Sequence, residues 1–235
     1  MQKGLIRTAR SFDVNKGEAS ITSPLSVSPQ LNNPWWFVFL ERCFAVMALL
    51  LFLPVILVLM LIVKFESPGP ALFVQERIGR YARRPFRFAK LRTMYTDSTT
   101  RFPDLCAYSF SKDEVGEVKL SLKVDPRVTP FGNWLRRTSL DELPNFWHVI
   151  VGDMALVGPR PEMWKMLQYY DSRTLQKFDV LPGITGYAQI YGRGDLTFDE
   201  TVEHDLAYIR EKSVRTDLLV LFRTVWCTIA RKGAF

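Results

Sequence analysis

CFAVMALLLFLPVILVLMLIV, residues Cys43 to Val63, decides the architecture of this chain. It carries no charge and no polar side chain beyond Cys43. As one helix it rises about 32 Å, close to the ~30 Å hydrocarbon core of a bilayer. It lies too far into the chain for a cleaved signal, and Met60-Leu61-Ile62-Val63 offers no small-residue cleavage site. A buried core helix is the alternative, disfavoured by this length and by apolar residues on every face.

Pro54 sits at the middle of the run. It removes the hydrogen bond to the Leu50 carbonyl and pushes Leu53 away from helical geometry. Divided there, each half is roughly 15 Å long and reaches only mid-bilayer. Membrane helices also tolerate proline as a kink, so Pro54 alone leaves span and hairpin open. Basic residues flank both ends: Lys3, Arg7, Arg10, Lys16 and Arg42 before, Lys64, Arg77, Arg80, Arg83 and Arg84 after. The positive-inside rule therefore chooses no side, a tie that a re-entrant hairpin with both ends cytoplasmic explains.

Outward from this segment, residues 1–33 are polar, Ser-rich and aperiodic, and read as a disordered tail. Trp35-Trp36-Phe37 reads as an interfacial aromatic anchor. The whole chain of 235 residues leaves room for an anchor and one domain with a real core. Cys43, Cys106 and Cys227 form no CxxC and no Cys/His cluster, which points to a reducing compartment. The net charge of +7 suits anionic partners: nucleic acid, anionic lipid or phosphate substrates.

Ser67-Pro68-Gly69-Pro70 is a turn, and Ala71–Gln75 a short strand. The stretch from Gln75 to Thr93 is dense in arginine, with Phe86, Phe88 and Leu91 interleaved, and 97–122 reads as an exposed excursion. Asn133–Met154 reads as one helical region, with Ser139 and Glu142 as a capping box and Leu143, Phe146, Trp147 and Ile150 at helical spacing. Ala155–Val157 is a short strand ended by Gly158-Pro159-Arg160-Pro161. Leu181–Gly186 is a glycine-rich loop. Thr197 and Glu200 form a second capping box, opening a helix whose apolar face is Phe198, Val202, Leu206 and Ile209. Thr216 or Asp217 opens the last helix, with Leu218, Leu221, Phe222, Val225 and Ile229 on one face; that face can pack on the core or lie in a membrane interface.

For chemistry, Asp141-Glu142 stands out. A cap at Ser139 places both carboxylates in a first helical turn, where the dipole favours ionisation and free N–H groups suit phosphate. An ionised Asp is a competent nucleophile for phosphorus, and adjacent carboxylates with phosphate oxygens can hold Mg²⁺. Acidic residues are also ordinary first-turn residues. Lys90, Arg92, Arg136, Arg137, Arg160 and Arg193 are cations that could clamp a diphosphate; Arg160 is fixed between two prolines. Glycines 183, 186, 192 and 194 match neither Walker nor Rossmann spacing. His148 and His204 lack ligand spacing and read as structural, so any metal is oxygen-ligated.

Five blocks taken in order resemble the bacterial sugar transferases, the monotopic phosphoglycosyl transferases. They are Gln75-Glu76-Arg77-Ile78-Gly79; Lys90-Leu91-Arg92-Thr93-Met94; Ser139-Leu140-Asp141-Glu142-Leu143-Pro144; Gly152-Asp153-Met154 through Val157-Gly158-Pro159-Arg160-Pro161; and Pro182-Gly183-Ile184-Thr185-Gly186 through Ala188-Gln189 and Gly192-Arg193. The resemblance runs from about Arg42 to Phe235. It implies transfer of a sugar-1-phosphate from a UDP-sugar to undecaprenyl phosphate, with UMP released, at the cytoplasmic face of the bacterial inner membrane. The product would start exopolysaccharide, capsule or O-antigen synthesis. It implies Mg²⁺ as cofactor, Asp141 as the nucleophile of a covalent phosphosugar intermediate, and Glu142 as base or metal partner, both serving the metal. Lys90, Arg136, Arg160, Arg193 and Asp217 match substrate-binding positions of the family. Membrane lipid is the remaining partner; nucleic acid is not one, and a homodimer is compatible with the pattern. Two departures stand out: Leu181 where the family often has Arg, and Leu53 before Pro54 where many members have Ser.

The expected fold is α+β and mostly helical: tail 1–33, re-entrant helix-break-helix 34–64, and a cytoplasmic catalytic domain 65–235 with interfacial amphipathic helices and a small β component. The length fits the minimal catalytic form. The alternative readings are a membrane-anchored glycosyltransferase that releases UDP and a basic tethered module that binds nucleic acid or anionic lipid.

Overall fold

A computed structural model describes residues 33–82, 84–111, 114–119, 122, 124–192 and 195–229. Arg193 and the tail before Asn33 lie outside these residues.

The apolar run forms most of helix α1 (Trp35–Glu66). The expected break at Pro54 is not an interruption: the helix continues through it. Its buried residues are Phe37, Glu41, Ala45, Ala48, Ile56, Leu59 and Val63, one stripe at helical spacing. The rest of the surface is bare, with Leu50, Leu51, Leu57, Val58 and Leu61 each more than half exposed. Burying one such side chain contributes about 1.5–3 kcal/mol. A helix forgoing that at so many positions is suited to lipid rather than water. It is also the one described helix long and apolar enough to cross a membrane.

Both ends of α1 are held by the domain. Near the start, Glu41 Oε1 accepts from the Leu156 backbone N–H at 3.2 Å. At the end, Glu66 accepts from Phe131 N–H at 2.7 Å and from Thr129 Oγ1 at 2.6 Å. Arg92 then caps the final carbonyls, donating to Val63 O, Ser67 O and Pro68 O at 3.1, 2.6 and 2.9 Å. Charge-assisted bonds of this kind contribute about 1.5–3 kcal/mol each. Arg92 is therefore committed to the helix end and is not a free clamp for phosphate.

Strands β1 (Leu72–Ile78) and β2 (Pro85–Leu91) form an antiparallel hairpin, longer than the Ala71–Gln75 strand expected. Two short helices follow, α2 (Ser98–Arg101) and α3 (Pro103–Ala107), in the polar excursion. Helix α4 (Pro130–Thr138) starts on a genuine cap, Thr129 Oγ1 accepting from Gly132 N–H at 2.9 Å. The continuous helix expected over 133–154 is instead three pieces: α4, a 3₁₀ turn Leu140–Asn145 and α5 (Phe146–Val151). Ser139 stops α4 in the left-handed region (φ 57°), and Pro144, with no N–H to give, denies the next segment α-helical bonding. The Ser139 capping box is accordingly absent: its side chain makes no cap bond.

Strand β3 (Ala155–Val157) pairs in parallel with β4 (Gly183–Thr185), so part of the glycine-rich loop is a strand. At Gly158 and Gly183 the two backbones pass so closely that a Cβ on either would strike the other. Helix α6 (Tyr187–Tyr191) is short. Helix α7 (Phe198–Glu211) has the expected Thr197–Glu200 capping box complete. Helix α8 (Val214–Ile229) opens at Ser213, whose Oγ accepts from Thr216 N–H. Of its expected apolar face, Leu221 packs on the core, while most of the rest turns outward. Asp217 and Val220 are buried, whereas Leu218, Leu219, Phe222, Val225 and Trp226 are 54–70% exposed. The architecture is mostly helical with two small sheets.

Candidate active site

Three segments converge on Asp141. The first is β2. Its alternation puts Phe88 and Lys90 on one face; Phe88 stacks on His148 in the core, and Lys90 reaches Asp141, Nζ to Oδ2 3.7 Å. His148 Nε2 also accepts from the Ala89 N–H at 3.1 Å, which fixes β2 against α5 and gives this histidine the structural role expected of it. His204 likewise stacks on Tyr191.

The second segment is the α4–3₁₀ junction. The left-handed Ser139 reverses the chain just after Arg136 and brings Asp141 and Glu142 inward. Asp141 is buried, at 4% exposure. Arg136 donates from Nε to Thr93 Oγ1 at 3.0 Å, and its Nη1 lies 3.6 Å from Asp125 Oδ2. Asp125 is itself gripped by Arg127 at 2.8 Å. The third segment is the turn after β3. Gly158 N–H donates to Thr185 O and Gly183 N–H to Pro159 O, both at 2.8 Å. Arg77 Nη1 donates to Pro161 O at 3.2 Å. From this clamped turn Arg160 Nη2 donates to Glu142 Oε1 at 2.7 Å.

The electrostatics separate the two carboxylates. Burial pushes the Asp141 carboxyl up; Lys90, Arg160 and Arg136 pull against that rise while neighbouring Glu142 adds to it. Burial also acts on Glu142, but Arg160 and Lys90, together with the Arg160 hydrogen bond, outweigh it and hold that carboxyl below its ordinary value. Lys90 is pushed down by burial to about 8, with Asp141 opposing the fall. One carboxylate is thus held reluctantly ionised and the other firmly so, a separation typical of sites that divide roles between two acids. The charge is managed by cations and burial. The helix dipole invoked for a long helix at Ser139 has no counterpart in a six-residue 3₁₀ turn.

Of the residues the sequence singled out, Lys90, Arg136, Asp141, Glu142 and Arg160 come together. Arg193 lies outside the described residues. Asp217 is fully buried in the first turn of α8; its partners are Tyr208 OH at 2.7 Å, Lys212 Nζ at 3.3 Å and Asn33 Nδ2 at 2.8 Å. None of the described contacts joins it to Asp141. Leu181 lies where β4 approaches Gly158. Thr93, Asp125 and Arg77 were not singled out by role. Thr93 and Arg77 fall inside the quoted blocks, and Asp125-Pro126-Arg127 is a charged turn, but only tertiary contact assigns their functions.

Among the described residues no group of three His, Cys, Asp or Glu gathers. The protein therefore offers two adjacent carboxylates, all oxygen, the number that Mg²⁺ takes when substrate phosphates complete its shell. That donor set fits the ion.

The sequence model described as bacterial sugar transferase matches residues 34–231. This chain belongs to that family. It is 35% identical over 191 residues to the exopolysaccharide production protein ExoY of Rhizobium meliloti (strain 1021), covering 81% of this chain and 84% of ExoY. It is 40% identical over 199 residues to the UDP-glucose:undecaprenyl-phosphate glucose-1-phosphate transferase of Escherichia coli (strain K12), covering 81% and 39%. It is 39% identical over 170 residues to the galactosyl transferase CpsE of Streptococcus agalactiae serotype III (strain NEM316), covering 72% and 37%. The chain thus spans about two fifths of the length of the latter two proteins and most of ExoY.

Proposed function

We propose that this protein transfers a sugar-1-phosphate from a UDP-sugar to a polyprenyl phosphate and releases UMP. The observation that carries the reading is a buried Asp141 carboxylate held 3.7 Å from Lys90, beside a Glu142–Arg160 pair, on a chain bearing a lipid-suited helix. Phosphoryl transfer asks mainly for positioning and charge neutralisation, and cations surround this carboxylate.

In the first step an Asp141 oxygen bonds to the phosphorus that carries the sugar. The bond from that phosphorus to the oxygen bridging to the uridine phosphate breaks, and UMP leaves with the electron pair. In the second step an oxygen of the polyprenyl phosphate attacks the same phosphorus, and the bond to Asp141 breaks, restoring the carboxylate. A raised pKa makes Asp141 a stronger nucleophile once ionised, and Lys90 favours that ionised form. Arg136 and Arg160 bind the diphosphate and meet the charge that moves onto the leaving group. Asp141 and Glu142 would hold Mg²⁺, which supplies further charge neutralisation on the diphosphate.

The anchor supports the same reading. A straight helix rises about 37 Å between Glu41 and Glu66, more than the hydrocarbon core. A span would set these residues on opposite sides of the membrane, yet both are bonded to one domain. That favours both ends of α1 lying on one side, the cytoplasmic face of the inner membrane. The outward apolar face of α8, with Trp226 60% exposed, lies naturally in the same interface. The likeness to ExoY, an exopolysaccharide production protein, supports a product that starts exopolysaccharide synthesis.

Purified protein is expected to release UMP from a UDP-sugar over many turnovers only with polyprenyl phosphate and Mg²⁺ present, and at most one equivalent without the acceptor. Release of UDP instead would make it an anchored glycosyltransferase. For the topology, Lys16→Cys and Lys123→Cys in a background lacking native cysteines should both resist labelling from outside intact cells; external labelling at position 16 would make α1 a span.

A further inference from the structure

A ladder of alternating charge runs from the core to the active site. Asp205, on α7, is completely buried and lies 3.0 Å from Lys177 Nζ. Lys177, itself 1% exposed, lies 3.6 Å from Glu162 Oε2 and donates to Tyr170 OH at 3.2 Å. Glu162 follows Arg160-Pro161 directly, and Arg160 is the next cation, bonded to Glu142. A void of about 10 Å³, room for one water at most, separates Pro159, Arg160 and Pro161 from Lys177 and Phe178.

Burying three charge-bearing side chains this deeply is unfavourable unless each is paired, so the placement asks for a reason. The reason lies in the competition for Arg160. Its guanidinium feels three carboxylates: Glu142, which it holds, then Asp141, and Glu162 two residues along its own turn. An uncompensated Glu162 would draw Arg160 away from Glu142. Lys177 neutralises Glu162 from the core side, and Asp205 keeps Lys177 charged and in place. The Glu162 backbone carbonyl is separately fixed by Ile78 N–H at 2.8 Å, so the carboxylate cannot swing away with its own backbone.

We infer that Lys177 is a positioning residue for the active site: by holding Glu162 it leaves Arg160 free to engage Glu142 and the substrate diphosphate. This rests on the phosphosugar-transfer reading above.

The test uses full-length protein, UDP-sugar, polyprenyl phosphate and Mg²⁺, with UMP release and thermal melting both measured. Lys177→Met with Asp205→Asn removes the deep pair without stranding a charge there, and leaves Glu162 alone. It is expected to lower kcat/KM of the folded protein at least tenfold, measured well below a melting transition that the unpaired Glu162 lowers. Adding Glu162→Gln removes the competitor and should restore turnover to within threefold of wild type. Glu162→Gln alone should stay near wild type, because the amide oxygen still accepts from Met163 N–H. A purely structural lysine gives a different pattern, a lowered melting temperature with kcat/KM of the folded protein unchanged. That pattern overturns the inference, as does wild-type turnover in the Lys177→Met, Asp205→Asn protein. Wild-type protein that releases no UMP overturns the functional reading and this inference with it.

Discussion

Ser139-Leu140-Asp141-Glu142 and Thr197-Phe198-Asp199-Glu200 have the same pattern, a hydroxyl residue followed three places later by Glu, yet they fold to different ends. Thr197 adopts extended geometry (φ −70°, ψ 172°), its hydroxyl accepts from Glu200 N–H, and Glu200 reaches back to Thr197 N–H at 2.8 Å. A full helix follows. Ser139 is in the left-handed region, caps nothing with its side chain, and leads into a 3₁₀ turn cut by Pro144. Glu142 therefore has no backbone N–H to serve and accepts from Arg160 instead. One glutamate is consumed by local structure. The other is released from it, and only a released carboxylate is available for chemistry.

The comparison breaks first at Asp141. Asp141→Asn should abolish UMP release, by on the order of 10⁴-fold or more if the carboxylate is the nucleophile, with folding retained; UMP release near the wild-type rate would end the assignment. Next comes Arg160→Ala. Loss of one charged donor to a developing anion costs roughly 10²-fold, expected here in kcat/KM for the UDP-sugar. Because Arg160 is about half exposed, the cost to stability should be small, at most about 1 kcal/mol.

The same substitution has a pH signature. Glu142 titrates below its ordinary value in the folded protein. That shift contributes stability which is complete above the unfolded value and is lost as pH falls through the folded one. The stability difference between wild type and Arg160→Ala should thus shrink as denaturation is repeated from about pH 6 toward about pH 3. On the alkaline side, Lys90 titrates near 8 and carries its charge below that pH. Turnover should fall above it, by up to about tenfold per pH unit. Lys90→Arg, charged to far higher pH, should extend the plateau; an unchanged alkaline limb would assign the titration to another group.

The smallest effects sharpen the contrast between the two motifs themselves. Thr197→Ala removes a working cap and should cost about 1 kcal/mol in denaturant unfolding. Ser139→Gly removes no cap and relieves a left-handed serine, so it should be neutral or stabilising by up to about 1 kcal/mol. Equal losses at the two positions would mean that the Ser139 hydroxyl acts in some way the contacts do not register.

Much of the site was readable because it lies in short blocks. Asp141, Glu142 and Arg160 each stand close to a proline or a turn that constrains the backbone, and Lys90 stands near the end of strand β2. The fold was less readable. Gly183-Ile184-Thr185 carries no strand pattern, and becomes a strand because Gly158 lets β3 come close enough to pair. The α8 periodicity identified an amphipathic helix but not its buried side. That side was chosen by Asp217, held by Tyr208 and Lys212, which turns Leu218, Phe222 and Val225 outward. Burial of a carboxylate is not foreseeable from an apolar pattern, because it depends on partners far away in the chain.

By itself the sequence determined the lipid-suited helix, since an apolar run of that length has few stable environments other than a bilayer. It also determined the α7 cap, whose partners are three residues apart. Tertiary structure decided the rest. The domain holds α1 at both Glu41 and Glu66, which bears on whether that helix can cross a membrane at all. Lys90, Arg136 and Arg160 come from three separate segments and meet only around Asp141. Charges act over distances set by folding, so which cation faces which carboxylate becomes known only when the chain has closed on itself.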